Sequence, residues 1–394
     1  MPEGLTTQGV TTLQGVLARH VEGGYIPGLV ALVARGDDVH VEALGHKAFG
    51  DPAPIGRDAI FRIASITKPM VGVAALALIE RGRMALDDPV AKWLPELAEP
   101  RVLRSLESDL DDTVPAARPI TIEDALSFHL GFGSIMSPGP FPIQEAEHRL
   151  GLKTLVPPWP PVDLTPDEWL ARFASLPLLE QPGTAWRYNT GATVAGVLIE
   201  RVAGAPLADV LEALVFEPLG MVDTGFFVPA SKLDRLTTFY RTDGETEALQ
   251  VFDEPPGWWS VPPKLPDASA ALVSTVDDLW RFTTMLASGG GSVITADSVA
   301  EMTRDRMTAE ERAANPWFVG DHSGWGLMML VPAGDGSTGV PGGYGWEGGS
   351  GTTWRTDPAT GLTAILLTQR MVTSPLPTKL VNDFWVAAYG AIGR

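Results

Sequence analysis

The stretch Phe61-Arg62-Ile63-Ala64-Ser65-Ile66-Thr67-Lys68-Pro69-Met70 leads into an apolar run from Val71 to Ile79. Apolar residues on nearly every face belong to a helix buried in the middle of a domain, and Gly82 supplies its stop. Residues three apart share one helical face, so Ser65 and Lys68 are expected to touch, with Ser65 presented rigidly from the first turn. A serine hydroxyl is a weak nucleophile until something takes its proton. A lysine can do so only when neutral, and burial is what lowers its value from about 10.4. The competing reading makes Ser65 a helix cap and Lys68 a solvated first-turn residue. Of the seven lysines, Lys68 alone has a serine three residues before it, but this pair needs a structural context to become a site.

Composition sets that context. A chain of 394 residues, 45% hydrophobic and 20% charged, has the makeup of a globular protein with one elaborate domain or two. A net charge of -19 argues against nucleic acid and anionic membrane surfaces as partners, because both reward basic patches. The absence of cysteine excludes disulfides, thiol catalysis and thiolate zinc sites. Met1 to Thr12 carry no secretory pattern, and no apolar run reaches membrane-spanning length. A cytoplasmic location is the expectation.

Leu13 to Val21 reads as a helix, and Gly28 to Ala34 and Val39 to Ala43 read as strands joined in a hairpin by Gly36-Asp37-Asp38. Proline-rich and acidic connections then surround helical pieces at Ile122 to Phe128, Asp167 to Ala174 and Ala192 to Val202. Strand character returns at Gly324 to Val331, Gly351 to Asp357 and Leu362 to Gln369, before a closing helix from Pro377 to Tyr389. Strands at both ends with helices between predict an α/β sandwich: an antiparallel sheet built from the two termini and flanked by helices, plus an inserted, mostly helical subdomain. The expected division places 1–85 and 275–394 in the sandwich and 86–274 in the insert. Two long loops, Gly131 to Pro166 and Asp243 to Pro266, carry Phe132, Phe141, Trp159, Phe252, Trp258 and Trp259. These aromatics either line an apolar pocket, Phe132 and Trp258 foremost, or pin the loops to the surface.

The run Ala64 to Pro69, followed by Arg81-Gly82-Arg83-Met84-Ala85-Leu86-Asp87-Asp88-Pro89-Val90, resembles the serine hydrolases related to class C β-lactamases and penicillin-binding proteins. Among these it is closest in motif to the β-lactamase-like carboxylesterases, and the likeness extends over nearly the whole chain. The S-x-x-K motif is met by Ser65 and Lys68. The Y-x-N counterpart is Tyr188-Asn189-Thr190, with threonine at the third position. The K-T-G counterpart is Trp346-Glu347-Gly348, followed by Gly349-Ser350-Gly351, which resembles the W-x-G version of the esterases and lacks the lactamase cation.

The resemblance implies that Tyr188 shares a proton with Lys68, and two groups so coupled would titrate as a unit. It also implies an oxyanion hole from the amides of Ser65 and Gly349, and substrate contacts from Trp346 and Gly348. Other chemistry fits poorly: no G-x-S-x-G elbow, H-E-x-x-H pair, phosphate loop or dinucleotide fingerprint occurs. Asp109, Asp111 and Asp112 lack the glycine and glutamate of a calcium loop and read as a solvated hairpin tip. The expected enzyme is therefore a serine carboxylesterase working through an acyl-enzyme on small or hydrophobic esters, without metal or cofactor. An acyltransferase on the same acyl-enzyme, a β-lactamase or D-amino-acid peptidase, and a sensor without turnover are the alternatives.

Overall fold

A computed structural model describes residues 4–152, 161–243, 248–320, 322–333 and 343–393; Trp159 lies outside them. The sheet takes strands from both ends of the chain. Strands β1 (Gly28–Arg35) and β2 (Asp38–Gly45) come from the N-terminal side. The C-terminal side supplies β3 (Ser323–Trp325), β4 (Leu330–Pro332), β5 (Tyr344–Gly348), β6 (Thr352–Asp357) and β7 (Leu362–Thr368). The order is β2-β1-β7-β6-β5-β4-β3, and every pairing is antiparallel. The β1–β2 turn is tighter than expected, since Asp38 already pairs with Arg35, and Gly36 at φ +60° supplies the left-handed position a two-residue turn needs.

Strand β1 is continuous in apolar character because both of its faces are covered. Leu29, Ala31 and Val33 pack beneath the terminal helices α1 (Thr7–Glu22) and α5 (Lys379–Ala391). Val30, Leu32 and Ala34 point to the opposite, larger core, as side chains alternating along a strand must. That core holds α2 (Thr67–Glu80), α3 (Thr190–Ala203) and α4 (Val276–Ala287). All residues of α2 from Thr67 to Leu78 are buried, as its uniform apolarity predicts, and Gly82 at φ +65° ends it.

Three expectations change. Gly324 to Val331 is a hairpin, β3 and β4, instead of one strand. Its turn is buried because the amides of Leu327 and Met328 donate to the carbonyls of Met302 and Leu126 at 2.9 Å each, so tertiary partners replace water. The loop Gly131 to Pro166 contains a helix, Pro142–Leu150. The loop Asp243 to Pro266 contains a strand, Leu249–Asp253, paired with Phe239–Thr242. Among the described residues, no helix is long and apolar enough to cross a membrane.

Candidate active site

A two-residue strand, Phe61-Arg62, pairs with Val273-Ser274 and delivers the chain to Ser65. Ala64 then adopts φ +45°, a left-handed conformation that costs a non-glycine residue energy and marks a constrained turn. Ser65 therefore sits in a 3-10 turn, Ala64–Ile66, immediately ahead of α2 and not in its first α-helical turn. The Thr67 hydroxyl closes this turn onto the Ala64 carbonyl at 2.7 Å and accepts the Leu272 amide at 3.1 Å. Segment 267–272 is thereby tied along the start of α2.

Ser65 is 2% exposed and Lys68 is fully buried. The Lys68 Nζ reaches Ser65 Oγ at 2.9 Å and donates to the Ser269 carbonyl at 2.6 Å. It also lies 4.6 Å from the centre of the Tyr188 ring. Among the described residues no carboxylate touches the amine directly, so burial dominates and lowers its pKa from the ordinary 10.5 to about 7, against the opposing charge of Asp267. The reading of Lys68 as a solvated residue is excluded.

Tyr188 arrives from the other side. The Ser134 amide holds its carbonyl at 2.9 Å, and Asn189 at φ +90° turns the chain into α3. The phenol is buried and stacks on Phe318 with centroids 4.6 Å apart. Trp346 Nε1 donates to its oxygen at 2.8 Å, and the Ser65 side chain hydrogen-bonds to it as well. Burial drives its pKa well above the usual phenol value, those hydrogen bonds pull it back, and Glu347 pushes it further up. At neutral pH the ring is an O–H donor, and the amine is the more accessible base.

Trp346 and Gly348 belong to β5, which runs past the Ser65 turn. A side chain at Gly348 would come within 2.4 Å of the Ile63 carbonyl, so only glycine permits this approach. Gly349 begins the turn into β6, and its carbonyl accepts the Val372 amide at 2.9 Å. Ser65, Tyr188, Trp346, Gly348 and Gly349 all border one open pocket of about 260 Å³. Its outer wall is the segment 372–378 with Val381 of α5, and Glu347 is the one charged side chain among the described residues lining it.

Two expected pocket residues are not brought there. Phe132 is 1% exposed and packs edge-on to Phe173 in the core. Trp258 is 38% exposed and borders a separate small cavity beside Trp259 and Leu265. Thr190, in place of the motif asparagine, is buried at the start of α3, and neither it nor Asn189 lines the pocket. Sequence reasoning missed Asp267 and Ser269, Phe318, Ser134 and the wall at 372–378. The wall had a signal in Pro375 and Pro377 between the last strand and the last helix; Phe318 had none.

Residues 13–382 match the Beta-lactamase family model. The chain belongs to the beta-lactamase family. Esterase EstB of Burkholderia gladioli is 32% identical over 360 residues, covering 86% of this chain and 85% of that one. An uncharacterized Mycobacterium tuberculosis protein is 36% identical over 361 residues, 88% of this chain and 87% of its own. Among solved structures, EstCE1, described as a hydrolase with promiscuous acyltransferase activity, superposes with a TM-score of 0.79. It shares 26% identity and covers 97% of this chain and 98% of its own. The EstCE1 superposition extends over the mixed architecture of helices around an antiparallel sheet.

Proposed function

We propose that this chain is a serine carboxylesterase acting on small, uncharged esters through an acyl-enzyme. The observation that carries the reading is the 2.9 Å contact between Ser65 Oγ and a fully buried Lys68 amine lowered to about 7, on the floor of an open pocket. Ser65 Oγ attacks the ester carbonyl carbon while its proton passes to Lys68 Nζ. The amides of Ser65 and Gly349 hold the oxyanion that develops. The tetrahedral intermediate expels the alcohol, which takes up the proton. Because Trp346 donates to the Tyr188 oxygen, the phenol's own hydrogen is free to donate toward Ser65 or the leaving oxygen. Water then enters by the reverse route and releases the acid.

The esterase among the 32%-identical relatives supports this reading, as does the lack of a cationic side chain among the described lining residues. That lack disfavours substrates needing a carboxylate anchor, such as β-lactams. An added alcohol can intercept the same acyl-enzyme, and the acyltransferase side activity of EstCE1 supports that second outcome. The test is hydrolysis of nitrophenyl butyrate beside a chromogenic cephalosporin. The ester is expected to turn over faster, and Ser65→Ala to abolish the reaction; undiminished turnover in that variant overturns the assignment.

A further inference from the structure

Asp267 lies outside all three motifs and is buried. Its carboxylate accepts three hydrogen bonds at 2.9 Å, from the Ser269 amide, the Ser269 hydroxyl and the Thr193 hydroxyl on α3. The residue it holds so firmly, Ser269, turns its carbonyl to Lys68 Nζ at 2.6 Å. We propose that Asp267 is a positioning residue, which fixes the Ser269 carbonyl against the Lys68 amine and sets the pH at which that amine begins to act as a base.

This inference rests on the reading of Lys68 as the base. A lysine amine on a flexible stem has three rotatable donors. Here two directions are taken by Ser65 Oγ and the Ser269 carbonyl, and the face of Tyr188 lies on a third side. The carbonyl direction is only as fixed as segment 267–272, and the Asp267 hydrogen bonds fix it.

Charge adds the second part. Of the charged groups nearby, Arg62 on the preceding strand is paired with Asp253, and Glu347 on β5 acts on the Tyr188 phenol. Asp267 is the carboxylate whose field reaches Lys68, favouring its protonated form. A direct ion pair would hold the amine charged and useless as a base. Through one intervening residue, the carboxylate orients the amine yet leaves it able to lose its proton.

The test compares pH profiles of kcat/KM for nitrophenyl butyrate in the wild type, D267N, D267S and D267E, with the fold of each checked by near-UV circular dichroism. Removing the negative charge makes the amine easier to deprotonate. The acid limb in D267N and D267S is therefore expected to move down by about one pH unit, with kcat reduced by the looser carbonyl. D267E keeps the charge and is expected to restore the wild-type limb. A limb that stays in place or moves up in the neutral variants overturns the proposal, because a purely structural role lowers kcat without shifting the profile. Loss of the fold in both neutral variants overturns it too. If the wild type shows no Ser65-dependent hydrolysis, the failure belongs to the esterase reading instead.

Discussion

Arg62 and Lys68 flank the same turn, both buried and both basic, yet their surroundings make them opposites. Arg62 is paired with the Asp253 carboxylate, donates to the Thr237 carbonyl at 2.7 Å and lies 4.8 Å from the centre of the Trp259 ring. Burial lowers its pKa and Asp253 raises it; a guanidinium stays charged through any ordinary pH range. It ties the strand before Ser65 to the 253–260 segment. Among the described residues Lys68 meets neutral groups, Ser65 Oγ, the Ser269 carbonyl and the Tyr188 ring, and is lowered to about 7. Group type and counter-charge act together: a guanidinium in direct contact with a carboxylate stays a charged strut, and a lysine amine without such contact is lowered by burial toward the range of a base. Direct contact holds the proton; where the carboxylate is set one residue back, burial outweighs its field and lets the proton go.

The largest expected effect belongs to Lys68→Arg, which replaces the proposed base with a cation that cannot deprotonate. Ester hydrolysis is expected to fall by about 10³- to 10⁴-fold while the thermal transition persists; substantial residual turnover would mean that another group takes the Ser65 proton. Next comes Asp253→Asn, which strands the Arg62 charge in the core. Urea denaturation is expected to show a loss of about 3–5 kcal/mol, with activity per folded molecule largely kept. Stability close to wild type would show that the pair is not a strut.

The third expectation concerns the energetic cost of the base. The folded value of Lys68 lies below its unfolded value, so between about pH 7 and 10.5 the unfolded chain binds the extra proton. Lys68 therefore costs stability in full below about pH 7, and the cost fades as pH rises toward 10.5. Lys68→Met is expected to stabilise the fold at pH 7 by on the order of 2 kcal/mol after its lost hydrogen bonds are counted. A variant no more stable at pH 7 than at pH 10, relative to wild type, would contradict the lowered value. The smallest effect belongs to Trp346→Phe, which deletes the 2.8 Å bond to Tyr188. kcat is expected to drop about fivefold with KM little changed, the size of one hydrogen bond of roughly 1 kcal/mol.

Much of this was legible in the chain itself. Ser65, Lys68, Tyr188 and Trp346 announce themselves by residue type and spacing, and the apolar stretch from Val71 to Ile79 declares a buried helix. The strands at both ends told of one sheet closed by the termini, because alternating or continuous apolarity is a property of the strand alone. Phe132 and Trp258 misled because exposed and buried aromatics look the same in a loop. Gly324 to Val331 misled because its buried turn is stabilised by the carbonyls of Met302 and Leu126, which no local pattern records.

Local spacing and periodicity were enough to single out the Ser65 and Lys68 pair, the buried helix and the sheet built from both ends. It took the folded chain to show that Asp267 stands behind Ser269, that Phe318 stacks on Tyr188 and that residues 372–378 wall the pocket. Those contacts join segments far apart in the chain, and the energies that matter there, desolvation and Coulomb interaction, depend on distance in space and not on separation in sequence.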